Sequence, residues 1–349
     1  MWFREKIPSP SEKIAKAALA HQNQLTKPPG SLGQLETLAV SLCAMQGSLR
    51  PAMDKVAIRI FAADHGVVEE GVSAFPQAVT IEMVKNFLNG GAAISVLARA
   101  NRADFAVVNM GVATSLALEG LIDYSVANGT HNFCHQPAMS PGQFMCALEA
   151  GRDVAEKAAL DGAHCFIGGE MGIGNTTAAA ALACGLLNQV PTNMVGLGTG
   201  VSEAGYQRKL VAVERALKLH AGASGQPEIL AQCLGGFEIV ALAGAYLQSA
   251  SMRVAVLVDG FICTVAALLA CQLNPDLRPW LLFAHRGSEL GHQRVLDALS
   301  AKPLLALELR LGEGSGAGIA LPLLRLACEL HNNMATFSDA GLSEQEDMR

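Results

Sequence analysis

Short apolar runs that end in glycine beside a polar residue recur along this chain. Val56-Ala-Ile-Arg-Ile-Phe-Ala-Ala63 ends in Asp64-His65-Gly66, and comparable runs end at Asn109-Met-Gly111, Gly168-Gly-Glu170, Gly196-Leu-Gly198, Asp259-Gly260, His285-Arg-Gly287 and Gly312-Glu313. Helix-length stretches rich in Ala and Leu separate most of them. A strand buried on both faces reads as a continuous apolar run, so the alternation predicts an α/β chain with a doubly wound parallel sheet covered by helices. Ligands of such sheets sit outside the carboxyl ends of the strands, where these glycines and polar residues fall.

Helical spacing covers residues 10 to 25, Lys27-Pro-Pro-Gly-Ser-Leu-Gly33 breaks it, a second helix follows over 34 to 47, and Pro51 closes the unit. A closing helix is expected over 319 to 334, with an acidic tail after Ser338. The two chain ends are expected to pack together. Val254 to Leu273 is apolar enough to raise a membrane span, but Asp259-Gly260 interrupts it between a β-branched half and an Ala/Leu-rich half. A buried strand, a turn and a helix are the expectation there.

Charge narrows the function classes. A net charge of −6 and a pI near 5.9 argue against a nucleic-acid or anionic-membrane surface, so an anionic substrate must be gripped locally. The nine cysteines lie mostly inside apolar runs without a Cys-x-x-Cys pair, the usage of a reduced compartment. Met1 to Ser11 has no apolar signal core, and the protein is expected to be cytoplasmic.

Candidate chemistry concentrates in two glycine loops. In Arg310-Leu-Gly-Glu-Gly-Ser-Gly-Ala-Gly318 a single carboxylate, Glu313, is set among glycines that tolerate positive φ and close approach of a ligand; a solvated turn acid is the plain alternative. Gly169-Glu-Met-Gly-Ile-Gly-Asn-Thr-Thr177 has the Gly-x4-Gly spacing of a phosphate loop, with Asn175 where lysine is required. Opening a helix, it still offers backbone N–H groups to a monophosphate or ribose phosphate. Gly196-Leu-Gly-Thr-Gly200 lacks the final glycine of a dinucleotide turn, so NAD is not expected, although Thr199 and Gly200 could line the same anion pocket.

His65 reads as a hydrogen-bonded structural histidine and Asp259 as a carboxylate that orders a loop. His131-Asn-Phe-Cys-His135 lacks a second ligand pair, so no metal is expected.

Taken together, Lys27-Pro-Pro-Gly-Ser-Leu-Gly-Gln-Leu-Glu36, Ala63-Asp-His-Gly-Val67, Gly71-Val-Ser-Ala-Phe-Pro-Gln-Ala-Val-Thr80, Gly169 to Thr177, Gly235-Gly-Phe-Glu238, Val258-Asp-Gly-Phe261 and Arg310 to Gly316 resemble the nicotinate-nucleotide:dimethylbenzimidazole phosphoribosyltransferase family. The resemblance implies transfer of the phosphoribosyl group of nicotinate mononucleotide to 5,6-dimethylbenzimidazole, giving α-ribazole 5′-phosphate and nicotinate in cobalamin assembly. It also implies a large Rossmann-like domain (50–318), a small helical domain from both chain ends (1–49 and 319–349), a homodimer, and no metal or organic cofactor. Glu313 would be the proton acceptor. Glu170 would hold the ribose hydroxyls or the azole, and Gly172, Gly174, Asn175 and Thr176 would cradle the 5′-phosphate. Phe75, Pro76 and Gln77 would help to form the azole pocket, and Gly312 and Gly314 would bind substrate beside the base. Phe75 stands where some relatives have serine, and Gly287-Ser288 replaces a Ser-Ala pair, so Ser288 or a backbone N–H would serve phosphate. A noncatalytic nucleotide-binding or sensor protein on the same scaffold is the alternative; it would need no base at Glu313.

Overall fold

The computed structural model describes residues 1–113, 118–196 and 202–342. Its centre is a six-stranded sheet of β1 (Val56–Ala63), β2 (Asp104–Gly111), β3 (Leu121–Asp123), β4 (Cys165–Met171), β5 (Ala255–Val258) and β6 (Leu281–Phe283). The order is β3-β2-β1-β4-β5-β6, and every pairing is parallel. This is the doubly wound order of Rossmann-like sheets, whose direction of winding reverses between β1 and β4. All eight residues of β1 are buried, the seven apolar ones as a doubly covered strand requires and Arg59 paired with Asp104.

The β1–β4 boundary positions the site. Ile60 lies opposite Gly169 and Phe61 opposite Glu170, so both strands deliver their C-terminal residues to one place. Asp64 and His65 emerge from β1, Glu170 from β4 and Asp259 from β5.

Two of the apolar runs differ from expectation. The residues before Gly312-Glu313 form no strand: Leu305 makes an isolated parallel bridge to His285, and the Leu304 and Leu305 N–H groups donate to Phe283 and Ala284 at 3.0 Å. Pro303 has no N–H to give, and Glu308, at φ 56°, turns the chain out of extended geometry, so the ladder stops. Around Val195–Gly196 the described chain is likewise irregular, and residues 197–201, which include Thr199 and Gly200, lie outside the described residues. Three-residue β3 was missed, being too short to show a period.

Val254 to Leu273 divides as expected into β5 and the helix Phe261–Leu273, and no helix among the described residues is long and apolar enough to cross a membrane. At the chain ends, helices Glu12–Gln24 and Gln34–Gln46 meet helix Ser315–Asn333. There Gln22 Nε2 lies 2.8 Å from His331 Nδ1, and Leu25 bridges Thr336. Lys27 and Glu36 form a buried ion pair at 2.8 Å. Helix Ser315–Asn333 runs through the expected boundary at 318, starting beside Glu313 and ending among the terminal helices. A continuous apolar core joins Leu42 and Leu324 to the sheet.

Candidate active site

Glu313 sits in a backbone that few residues adopt. Gly312, Glu313 and Gly314 take φ values of 84°, 64° and 79°, three consecutive left-handed residues of which only the middle one has a side chain. A left-handed residue other than glycine costs roughly 1–3 kcal/mol and persists where the surroundings impose it. The surroundings do so here. A Cβ on Gly312 would lie 2.4 Å from Glu170 Oε1, and a Cβ on Gly169 would lie 2.6 Å from the Glu313 carbonyl oxygen. From below, Asp259 Oδ2 accepts from the Gly314 N–H at 3.1 Å and Oδ1 from the Ala317 N–H at 2.7 Å. Asp259 thereby caps helix Ser315–Asn333 and fixes the loop that carries Glu313.

The Glu313 carboxylate lines a cavity at the carboxyl end of the sheet although the residue is only 7% exposed. Burial, reinforced by the negative charge of Asp259, raises its pKa to about 7. A carboxylate in that range exchanges protons at neutral pH, as a general base must.

Glu170 faces the same cavity. Burial pushes its pKa well up, and Asp259, Glu238 and Glu313 add to the shift. Its Oε1 accepts from the Glu313 N–H at 3.3 Å and its Oε2 from the Asn175 side-chain amide. Two neighbouring carboxyls thus both have raised pKa values, Glu170 from deeper burial among more acids and Glu313 chiefly from burial beside Asp259.

On the opposite wall, Gly174 at φ 96° starts helix Asn175–Leu187, which has no acidic residue in its first turn. Lys209, from helix Glu203–Leu219, donates to Thr176 Oγ1 at 3.1 Å. Lys209 is buried, which lowers its pKa, while Glu289 opposes the shift. A helix N-terminus and an ammonium converge there, the requirements of a phosphate site. Lysine is absent from the loop sequence but supplied from a helix 33 residues downstream of Thr176.

Beneath this loop, His65 Nε2 lies 2.8 Å from Glu238 Oε1 in a pair sealed from solvent. Burial works to lower the His65 pKa, but Glu238 and Asp64 outweigh it and the net direction is up. The pair braces β1 against helix Phe237–Ser251 under the Gly172 turn, where a Cβ would come within 3.2 Å of the imidazole. Asp64 accepts from the Ala113 N–H at 2.8 Å. These are the structural roles expected of His65 and, by its caps, of Asp259.

The cavity gathers Glu170, Gly172, Gly174, Asn175, Thr176, Gly312 and Glu313, as the sequence reading anticipated. Other candidates fall elsewhere. Gly314 points its N–H at Asp259 rather than into the cavity. Ser288 lines a neighbouring cavity and its N–H is taken by the Leu309 carbonyl, while Gly287 lines the main one. Phe75 is 47% exposed, and Phe75, Pro76 and Gln77 sit past the cavity wall, which this segment builds from Val72, Ser73 and Ala74. The turn at Ser73, whose hydroxyl accepts from the Phe75 N–H, sends the aromatic ring outward. His135 pairs with Glu70 at 3.3 Å and His131 is exposed. Sequence reasoning missed Lys209 and Glu289, because a lysine following Arg208 on a polar helix looks like any solvated charge.

Comparison with known proteins supplies the family. A phosphoribosyltransferase family model matches residues 7–342. The chain is 57% identical over 344 residues to the nicotinate-nucleotide–dimethylbenzimidazole phosphoribosyltransferase of Pseudomonas syringae pv. syringae, covering 99% of this chain and 98% of the relative. The enzyme of that name from Pseudomonas putida is 57% identical over 345 residues, with the same coverage. A crystal structure of the Thermus thermophilus enzyme of that name superposes with a TM-score of 0.91 at 45% identity, covering 96% of this chain and all of the other. With near-complete coverage at this identity, the chain belongs to the nicotinate-nucleotide–dimethylbenzimidazole phosphoribosyltransferase family.

Proposed function

We propose that this protein transfers the 5-phosphoribosyl group of nicotinate mononucleotide to 5,6-dimethylbenzimidazole or a related azole, in cobalamin nucleotide-loop assembly. The observation that carries the mechanism is Glu313, a carboxylate held in left-handed backbone between two glycines, facing a cavity with its pKa near 7.

The unprotonated ring nitrogen of the azole attacks C1′ of the donor. The C1′–N bond to the pyridinium breaks, its electron pair returns to the ring nitrogen, and nicotinate leaves without needing a general acid. Attack opposite the leaving group converts the β-linked donor to an α-linked product. The azole becomes cationic as the new bond forms, and its remaining N–H proton passes to the Glu313 carboxylate. Glu170, whose pKa burial raises, positions the ribose or the azole by hydrogen bonding. The Gly172–Thr176 turn and Lys209 take the phosphate, with Thr199, Gly200, Gly287 and Ser288 as further candidates. Phe75, Pro76 and Gln77 act on the azole from the rim after the segment moves inward. No metal or organic cofactor enters this scheme.

The same reading carries the division into a large domain and a small helical domain formed by both chain ends, a homodimeric assembly and a cytoplasmic location. Chromatography of nicotinate mononucleotide incubated with the protein tests the activity. Nicotinate is expected only when a benzimidazole is present; folded protein that releases none with several azoles would return the reading to a noncatalytic nucleotide binder.

A further inference from the structure

Beside the main cavity lies a second one of about 390 Å³, and the two share Glu289 and Arg310 as lining residues. Val195, Tyr206 and Leu290 give the second cavity apolar and aromatic walls, and its size is within the range of small-molecule sites. Arg310 therefore stands at the passage between two compartments.

The donor of the proposed reaction carries two anionic groups, a phosphate and a carboxylate on the pyridine ring. Among the described residues, the lysine and arginine side chains that line the main cavity are Lys209 and Arg310. Lys209 is engaged at the phosphate turn through Thr176. Arg310 belongs to the Glu313 loop, three residues before the base, and its backbone is held from both sides. The Leu309 carbonyl accepts from Ser288, and Gly312 turns the chain immediately after. The guanidinium is close enough to Glu289 to oppose the effect of burial on that carboxyl. It also offers paired in-plane N–H groups of the geometry that a carboxylate accepts.

We propose that Arg310 recognises the pyridine carboxylate of the donor and that the second cavity receives the departing pyridine ring. This rests on the phosphoribosyl-transfer reading and adds the donor's specificity to it. The position also favours reaction. In the intact donor the ring nitrogen is cationic, so a guanidinium on the carboxylate repels it. When the C1′–N bond breaks, the electron pair returns to nitrogen, the ring charge disappears and nicotinate becomes a net anion. The favourable interaction with Arg310 therefore grows along the reaction.

The test compares nicotinate mononucleotide with nicotinamide mononucleotide, which keeps the pyridinium and phosphate but replaces the carboxylate by an amide. For Arg310→Ala, kcat/KM with the carboxylate donor should fall roughly tenfold or more, the loss of about one charge-assisted interaction, and the preference over the amide donor should shrink by a similar factor. Arg310→Lys should recover part of that preference. Calorimetry should show weaker binding of free nicotinate to Arg310→Ala and little change for nicotinamide. Equal losses with both donors would overturn the proposal and make Arg310 a phosphate ligand or a prop for the Glu313 loop. Unchanged discrimination would overturn it as well. A wild-type protein that releases no nicotinate would instead overturn the underlying reaction, and the two failures are told apart by the wild-type control.

Discussion

Replacing Glu313 with glutamine separates catalysis from stability in opposite directions. The substitution keeps the shape of the side chain and the left-handed backbone, and removes only the charge and the ability to take a proton. Burial and Asp259 raise the carboxyl from 4.5 to about 7, a difference of about 3 kcal/mol at roughly 1.36 kcal/mol per pKa unit. The folded protein thus binds this proton more tightly than the unfolded chain does. The stabilisation from the protonated form is fully present below pH 4.5 and is lost as pH rises through 7. Wild type therefore bears the cost of an ionised, partly desolvated carboxylate at pH 8, and Glu313→Gln does not.

Chemical denaturation at pH 5 and pH 8 should show the variant gaining stability relative to wild type with rising pH, by up to about 3 kcal/mol. Turnover should move the other way. Wild-type kcat/KM should climb with pH about a midpoint near 7, and the variant should lose roughly 10²–10⁴-fold in kcat while still binding donor. A variant with wild-type turnover would remove Glu313 from the base role, and one with no relative gain at pH 8 would refute the burial argument for its pKa.

Asp259→Asn removes the charge that helps to raise Glu313, so the midpoint of the pH–rate profile should move to lower pH; it also leaves the Gly314 or Ala317 N–H without its acceptor, at a cost of roughly 1–3 kcal/mol in thermal denaturation. An unmoved midpoint would dismiss the coupling. Lys209→Met should raise donor KM and abolish inhibition by inorganic phosphate without loss of fold stability, because an ammonium that is costly to bury is replaced by an apolar chain of similar length. Gly169→Ala would place a methyl group 2.5 Å from Ile60 Cδ1 and 2.6 Å from the Glu313 carbonyl. It should cost about 1–3 kcal/mol and lower kcat by shifting the loop, read from melting and steady-state rates together.

What the sequence made legible follows from which signals are local. Strand β1 announces itself because seven of its eight consecutive buried positions are apolar, the exception being Arg59, whose guanidinium pairs with Asp104. Glu313 could be singled out because its neighbours are glycines, and the left-handed backbone at 312–314 is the physical need that those glycines meet. By contrast, the leucine-rich segment before it imitates a strand in composition, and only Pro303 and the turned Glu308 warn that no ladder forms. The direction of Phe75 is not legible from its residue type either, because it depends on a single turn at Ser73.

The properties that make the site reactive are not local at all. Lys209 reaches Thr176 from another helix, and Asp259 reaches across to Gly314 and Ala317 from β5. Glu170 and Glu313 have the same side chain and line the same cavity, yet Asp259, Glu238 and Glu313 all add to the shift of the first, whereas Asp259 alone adds to that of the second. The difference between their surroundings comes from that placement. A sequence can name both carboxylates; only the strand order that brings β1, β4 and β5 together sets the burial and the neighbouring charges of each.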